Sequence, residues 1–573
     1  MAEKRWSYKP VPDREIVKSL AKELSVEETL TSMLVQRGIH DFGQAKNFFR
    51  PQLQQLHDPF LMADMAKAVA RLEEAIAKNQ KILIYGDYDV DGTTAVALVY
   101  GFLSTFYTNI EYYNPDRYTE GYGVSLQGIE FAAEQGVSLI ICLDCGIKAQ
   151  DKVKIAKEQY QIDFIICDHH EPDEHLPQAV AVLDPKRKDC AYPYKELTGN
   201  GVGFKLLQAY CIKNGVAIEK LYEFIDLCVV SIASDIVPIT GENRVLAYFG
   251  LKKLNENPSI GLKALKDVAG FTSNMTIENV VFILGPRINA AGRIKHAKAS
   301  VKLLLSENFD EATEFAHEIQ KHNLERRGHD TRITEEALAM IEENEWLANT
   351  AKSTVLYRED WHKGVIGIVA SRCIEKYYRP TIIFTKTKEA MAAGSARSVS
   401  GFDLYAAIEE CSHLLEQFGG HKHAAGMTLA IDNILPFQQE FDKIVSKYIT
   451  DEQLTPVVSI DLKIRLADIS PKFFRIINQM APFGPENMQP VFVTENLTLK
   501  YTPRIMKEKH LKLELFEEET GAIFTAVGFG MVEEHYRKLT EQKYFKVAYQ
   551  VEENTFNNKT TLQLMLKDIK YYN

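Results

Sequence analysis

Three short apolar runs, "KILIYGD" (Lys81–Asp87), "VSLIICLD" (Val137–Asp144) and "DFIICDHH" (Asp163–His170), break off at an aspartate. Rich in β-branched and aromatic residues, they read as buried strands, as do "IEYYN" and "AVAVLD" beside them. The stretches between, Thr93–Phe106, Leu126–Glu134 and Ala149–Gln159, have the length and pattern of helices. Strand alternating with helix dictates a parallel sheet covered on both faces. Its strands all point one way, so the aspartates collect at one rim, where open α/β sheets bind their ligands.

"GDYDVDG" spaces Asp87, Asp89 and Asp91 like the start of an EF-hand loop, but the twelfth residue from Asp87 is Leu98 where calcium needs a Glu. The flanking strand and helix exclude that loop as well. Asp87 and Asp89, two apart, present both carboxylates on one side of an extended backbone. They meet Asp144, Asp168, His169 and His170 from the other strand ends, and the converging carboxylates repel one another unless cations neutralise them. Oxygen ligands with one imidazole suit Mn2+ or Mg2+ better than zinc. Two such ions, about 3.5–4 Å apart, would clamp a phosphoryl oxygen and activate water, so the implied chemistry is phosphodiester or phosphoanhydride hydrolysis. Asp91, beside Gly92 and Thr93, reads as a turn or helix-cap residue.

A chain of 573 residues supports three or four domains. Residues 1–75 read as a helical packing segment, 76–310 as the parallel-sheet domain and 311–350 as a charged connecting helix. Residues 351–450 form a second, smaller α/β unit, and 451–573 alternate like a small closed or nearly closed β-barrel. The net charge of −11 argues against a non-specific nucleic-acid binder only as a global sum. The eight cysteines lack a disulfide spacing, and "CLDC" without companion ligands reads as strand cysteines. No leader or bilayer-length apolar run is present, which makes a cytoplasmic protein with no membrane contact the expectation.

"DYDVDG" followed by "DHH" resembles the DHH phosphoesterase superfamily. The segments "GPRINAAGRI", "WHKGVIGIVASR", "SARSVSGFDLY", "GGHKHAAGM" and "PFGPENMQPVF" narrow the likeness to its bacterial single-strand-specific exonucleases, from about residue 40 to the end. The resemblance implies a DHH domain, a long helix, a DHH-associated domain and an oligonucleotide-binding (OB) barrel. It implies 5′-to-3′ degradation of single-stranded DNA to nucleoside 5′-monophosphates in recombination and repair, with two divalent cations, Mn2+ preferred or Mg2+. By motif, Asp87, Asp89, Asp144, His169 and Asp235 are the metal ligands, with Asp144 bridging. His170 faces the phosphate, and Asp168 orients His169. Relatives that cleave pyrophosphate or cyclic dinucleotides often carry a ligand His at the position of Leu83, which favours the exonuclease branch.

The same resemblance points to Ser371, Arg372, Arg397, Gly420 and His421 as a grip on the strand's 5′ end. Arg287, Asn289, Arg293 and Lys295 form a local basic patch, and Arg117, with Tyr118 and Tyr122, offers a cation and stacking rings. Single-strand-binding protein and a helicase are the expected partners, and a monomer the expected state. A phosphodiesterase for short oligonucleotides or cyclic dinucleotides would need no appended barrel. A catalytically inactive DNA-binding scaffold would have lost ligands that are all present.

Overall fold

A computed structural model describes residues 4–294, 298–387, 390–557 and 559–572. The chain divides into two compact units, one of Met1–Phe42, Arg326–Gln479 and Pro490–Asn573, the other of Gly43–Glu325 and Met480–Gln489. The helical segment 1–75, expected to pack on the parallel-sheet domain, is therefore divided between them. It also opens with a strand, β1 (Arg5–Tyr8), which pairs in parallel with Val457–Ile460. Its four residues carry no helical period, and their partner lies at the far end of the chain, beyond any local signal.

In the second unit, β2 (Lys81–Gly86), β3 (Ile110–Tyr113), β4 (Val137–Leu143), β5 (Asp163–Cys167) and β6 (Ala181–Leu183) form an all-parallel sheet in the order β3-β2-β4-β5-β6. Alternate residues serve opposite faces. Ile82 and Ile84 join a large core with Val96, Phe102, Phe204 and Val230, while Leu83 and Tyr85 join a second with Ile129, Val153 and Phe164. Burial on both faces explains why the strands read as unbroken apolar runs. The larger core is closed by α1 (Val90–Ser104), α2 (Gly199–Asn214) and α3 (Ile225–Ser234). All eight cysteines are free and buried; Cys142 and Cys145, with sulfurs 3.3 Å apart, are core residues as expected.

Register decides where the chemistry falls. Gly86 pairs with Leu143, Leu143 with Cys167 and Cys167 with Leu183, so four strands end in one row. The next residues are Asp87, Asp144, Asp168 and Asp184.

After α4 (Gly285–Ile294) comes α5 (Phe309–Glu343), the long helix expected near 311–350. In the first unit, β7 (Thr354–Arg358), β8 (Thr381–Lys386), β9 (Met391–Arg397), β10 (Gln417–His421) and β11 (Ala424–Ala430) make a mixed sheet in the order β10-β11-β9-β8-β7, with α6 (Ile366–Tyr377) against β8 and β9. β12 (Val457–Ile460), the partner of β1, and β13 (Leu462–Lys463) lead into the last domain. There β14 (Phe492–Leu499), β16 (His510–Glu517), β17 (Ala522–Gly528), β19 (Lys559–Tyr571) and β18 (Phe545–Phe556) pair in sequence, and β18 returns to β14. β15 (Arg504–Met506) is a short hairpin arm on β16. A parallel β17–β19 pair, with α7 (Val532–Glu541) placed between β17 and β18, gives the OB barrel.

One glycine joins this fold to the site. A Cβ on Gly92, in the first turn of α1, would lie 2.5 Å from the carbonyl oxygen and 2.6 Å from the amide nitrogen of Asp87. Gly92→Ala is expected to cost about 1–3 kcal/mol, because backbone on both sides must yield. An unchanged urea midpoint would contradict this packing.

Candidate metal centre

The turn from β2 into α1 gives its three aspartates three different settings. Asp87 is 1 % exposed; Oδ1 accepts a long 3.4 Å hydrogen bond from the Gly123 amide, and buried Oδ2 has no partner among the described residues. Asp89 is the N-cap of α1, its Oδ1 accepting from the Gly92 amide at 3.0 Å. Asp91 is not the cap that the sequence suggests. The helix has already started at Val90, and its first turn swings the Asp91 carboxylate inward. There Oδ1 accepts from the Asn200 amide (2.9 Å) and Ser231 Oγ (2.7 Å), and Oδ2 from the Gly199 amide (2.6 Å). The first amides of α2 thus close on Asp91, as unsatisfied N–H groups at a helix start favour an anion.

His169 Nε2 lies 3.2 Å from Asp144 Oδ1, 3.7 Å from Asp91 Oδ2 and 3.7 Å from Asp235 Oδ2, buried and without a hydrogen-bond partner among the described residues. The strand ends bring Asp144 and His169 together and the family resemblance adds Asp235; neither points to Asp91, whose signal is its place one residue inside the helix start. Asp144 has φ 58°, a left-handed conformation that Asp adopts more readily than most residues. Gly199 packs directly on it: a Cβ there would lie 2.4 Å from Asp144 Cβ.

Asp168 also differs from expectation. Its Oδ1 accepts from His170 Nδ1 and the His169 amide, each at 2.8 Å, and its Oδ2 from the Ile147 amide at 2.9 Å. It therefore orients the His170 ring, because the turn presents only the backbone of His169 to it. Tyr122 Oη lies 3.2 Å from the His170 ring nitrogens and donates to the Asp144 carbonyl at 3.1 Å. Arg117, on the same loop, lies over the Tyr88 ring at 4.8 Å. Glu120 holds that loop closed, accepting from the Asp116 amide (2.7 Å) and Ser125 Oγ (2.5 Å).

Burial, followed by mutual repulsion, dominates the electrostatics. Both raise Asp87 and Asp144 well above the usual carboxylate range, Asp89 upward, and Asp235 to about 8. Burial lowers His169 to about 4. Burial alone would lower His170 and raise Asp168, but their hydrogen bond and opposite charges win, setting His170 at about 9 and Asp168 at about 2. The fourth strand-end residue, Asp184, is raised by burial to about 7, with Oδ1 held by the Lys186 amide at 2.7 Å. Orphaned donor atoms and destabilised carboxylates are what a divalent cation would satisfy, and the mainly oxygen donor set suits Mn2+ or Mg2+.

Residues 81–232 match the DHH family N-terminal domain, 350–447 the DHHA1 domain and 460–568 the RecJ OB domain. The single-stranded-DNA-specific exonuclease RecJ of Bacillus subtilis (strain 168) is 37 % identical over 567 residues, covering 98 % of this chain and 70 % of that protein. The chain belongs to the RecJ family. A crystal structure of RecJ from Thermus thermophilus in complex with Mn2+ has the same fold, with TM-score 0.86 at 24 % identity over 99 % of this chain and 80 % of that one. A manganese-bound exonuclease RecJ has TM-score 0.60 at 29 % identity over 70 % of this chain and 97 % of that one.

The remaining residues singled out from the sequence of this RecJ-family chain are distributed unevenly. Arg397 pairs with Ala424, which pairs with His421, so these side chains share one face of the sheet. Two residues along on the same face, Gly426 and Gly419 leave the floor bare, while Ser395 Oγ accepts from Arg397 Nη1 at 3.1 Å. Gly420, at φ 148°, lies in β10 paired with Ala425, on the opposite face from Arg397 and His421, and a Cβ there would meet the Ala424 carbonyl at 2.4 Å. At Gly367 a Cβ would lie 2.8 Å from Arg397 Nη2, so the start of α6 borders this face; Ser371, bonded back to the Gly367 carbonyl at 3.2 Å, stands one turn on.

Arg372 does not join them. The helical step turns it away, and it lies 3.4 Å from Glu375. Arg287 is buried, donating to the Ile283 carbonyl (2.6 Å) and Gln320 (2.8 Å); its role there is to hold α4 on α5, not to offer a surface cation. Asn289 keeps a buried Oδ1 without a hydrogen-bond partner among the described residues. The Arg293 side chain and Lys295 lie outside the described residues.

The raised carboxylates give a pH prediction. Below its folded pKa each holds a proton that a cation must displace, whereas His169 is already neutral above about pH 4. Mn2+ affinity is expected to rise from pH 6 to 8, with protons released on binding. Calorimetry in buffers of different ionisation enthalpy reads this directly, and a pH-independent affinity would count against it.

Proposed function

We propose that this chain hydrolyses single-stranded DNA from its 5′ end, releasing nucleoside 5′-monophosphates. The observation that carries the reading is the carboxylate cluster around His169 in a RecJ-family chain. Asp87, Asp89, Asp144, His169 and Asp235, joined by Asp91, would hold two divalent cations. When bound, such ions supply Lewis acidity and a more acidic water. The chain itself provides the proton traffic: Asp168 keeps His170 protonated near neutral pH, where it donates to the departing 3′-oxygen of the terminal nucleotide. Arg117 meets a phosphate oxygen.

The face with Arg397 and His421, floored by Gly419 and Gly426 and bordered by Ser371, suits a terminal phosphate, which a guanidinium can grip. On the barrel, OB folds bind along their second and third strands, here β16 and β17. Lys512 and Phe516 lie there, with Ile523 paired to Phe516 and Lys500 4.8 Å above its ring. We assign the domains as DHH at 76–310, connecting helix at 311–350, DHH-associated at 351–450 and OB at 451–573, with residues 1–75 as an accessory segment. Single-strand-binding protein and a helicase as partners, a monomeric state and a cytoplasmic setting complete the proposal. Among the described residues no helix is long and apolar enough to cross a membrane.

With Mn2+ the purified protein is expected to shorten a 5′-phosphorylated single strand and spare blunt duplex; digestion from the 3′ end would overturn the polarity. Asp144→Ala should abolish cleavage while strand binding stays measurable by anisotropy, and retained cleavage would remove Asp144 from the site. Phe516→Ala should weaken binding of long strands by about 1–3 kcal/mol, the contribution of one stacked base. An equal affinity would place the strand elsewhere.

A further inference from the structure

Asp235 ends α3 as its C-cap, and the next residue, Ile236, has φ 58°. A β-branched residue rarely takes this conformation and keeps it only where the surroundings fix the backbone. Here the surroundings come from far along the sequence. Met480–Gln489, most of the "PFGPENMQP" motif, packs in the same compact unit as Asp235.

Arg244 holds this segment. Nη1 donates to the carbonyls of Met480 (3.0 Å) and Pro482 (3.4 Å), Nη2 to those of Ala481 (3.0 Å) and Phe48 (2.9 Å), and the guanidinium lies 3.8 Å from the Phe48 ring centre. Asn487 Nδ2 ties the segment to itself through the Met480 (2.9 Å) and Pro482 (2.8 Å) carbonyls. The turn so formed presents the Pro485 carbonyl to the Ile239 amide at 2.8 Å. It fits closely, since a Cβ on Gly484 would lie 2.5 Å from Ile239 Cγ1. On the other side the Pro238 carbonyl accepts from Asn243 Nδ2 (3.1 Å) and Tyr194 Oη (3.3 Å). The backbone after Asp235 is thus fixed from two sides.

We propose that Arg244 and the segment Met480–Gln489 form a clamp that positions Asp235 for a divalent cation. Arg244 is a positioning residue acting through Ile239. The inference rests on Asp235 being a metal ligand, as read above. Removing such support around a ligand typically weakens metal binding 10- to 100-fold.

The test is Mn2+ titration of the full chain by calorimetry, with thermal unfolding as a check on folding. Arg244→Ala and the milder Asn487→Ala should weaken Mn2+ binding about tenfold or more. Exonuclease kcat should return at saturating Mn2+. Asp235→Ala should lose the same Mn2+ altogether. Folded Asn487→Ala protein that binds Mn2+ as tightly as the parent would overturn the clamp, even if Arg244→Ala failed to fold. Unaltered Mn2+ binding in Asp235→Ala would instead remove Asp235 from the site and leave the fold of the clamp untouched.

Discussion

Carboxylates that cannot avoid one another govern this molecule. Asp87, Asp89, Asp91, Asp144 and Asp235 sit at the end of one parallel sheet, within reach of one another's charge. At 4 Å and an effective dielectric near 20, each pair of full charges costs about 4 kcal/mol. Hydrogen bonds offset part of that cost: the amides of Gly199 and Asn200 close on Asp91, and that of Gly92 on Asp89. What they do not offset appears as raised protonation at Asp235 and as atoms on Asp87 and His169 without hydrogen-bond partners among the described residues. Divalent cations are the remaining compensation, so the same repulsion that opposes folding creates the appetite for metal.

Other parts of the chain act in different ways. Asp168 commits both oxygens to orientation, fixing the His170 ring and, through the Ile147 amide, the loop after Asp144. The first unit contributes surfaces of another kind. Glycines beside Arg397 and His421 leave that face of the sheet uncovered, and the barrel sets a lysine over an aromatic ring, features that would suit an anion and a nucleobase.

Much of this was legible in the sequence because it is local. The β-branched runs at Lys81, Val137 and Asp163 announce parallel strands, and each following aspartate falls where register places it. Strand β1 was invisible because its partner lies about 450 residues away. Asp91 was misjudged because a cap and a first-turn residue differ by one or two positions in sequence but by a change of direction in space. Arg287 reads as a surface cation until the packing of α4 on α5 is known. The "PFGPENMQP" motif can be noticed in the sequence, but its contacts with Arg244 and Ile239 exist only once the chain is folded.

The common row in which Gly86, Leu143, Cys167 and Leu183 end their strands also limits how such a chain can diverge. One residue gained or lost inside a strand would shift its aspartate by about 3.3 Å and turn it to the opposite face. Length variation among relatives should therefore be confined to the opposite ends of these strands and to the outer loops, leaving the interval from each strand's first paired residue to its aspartate constant.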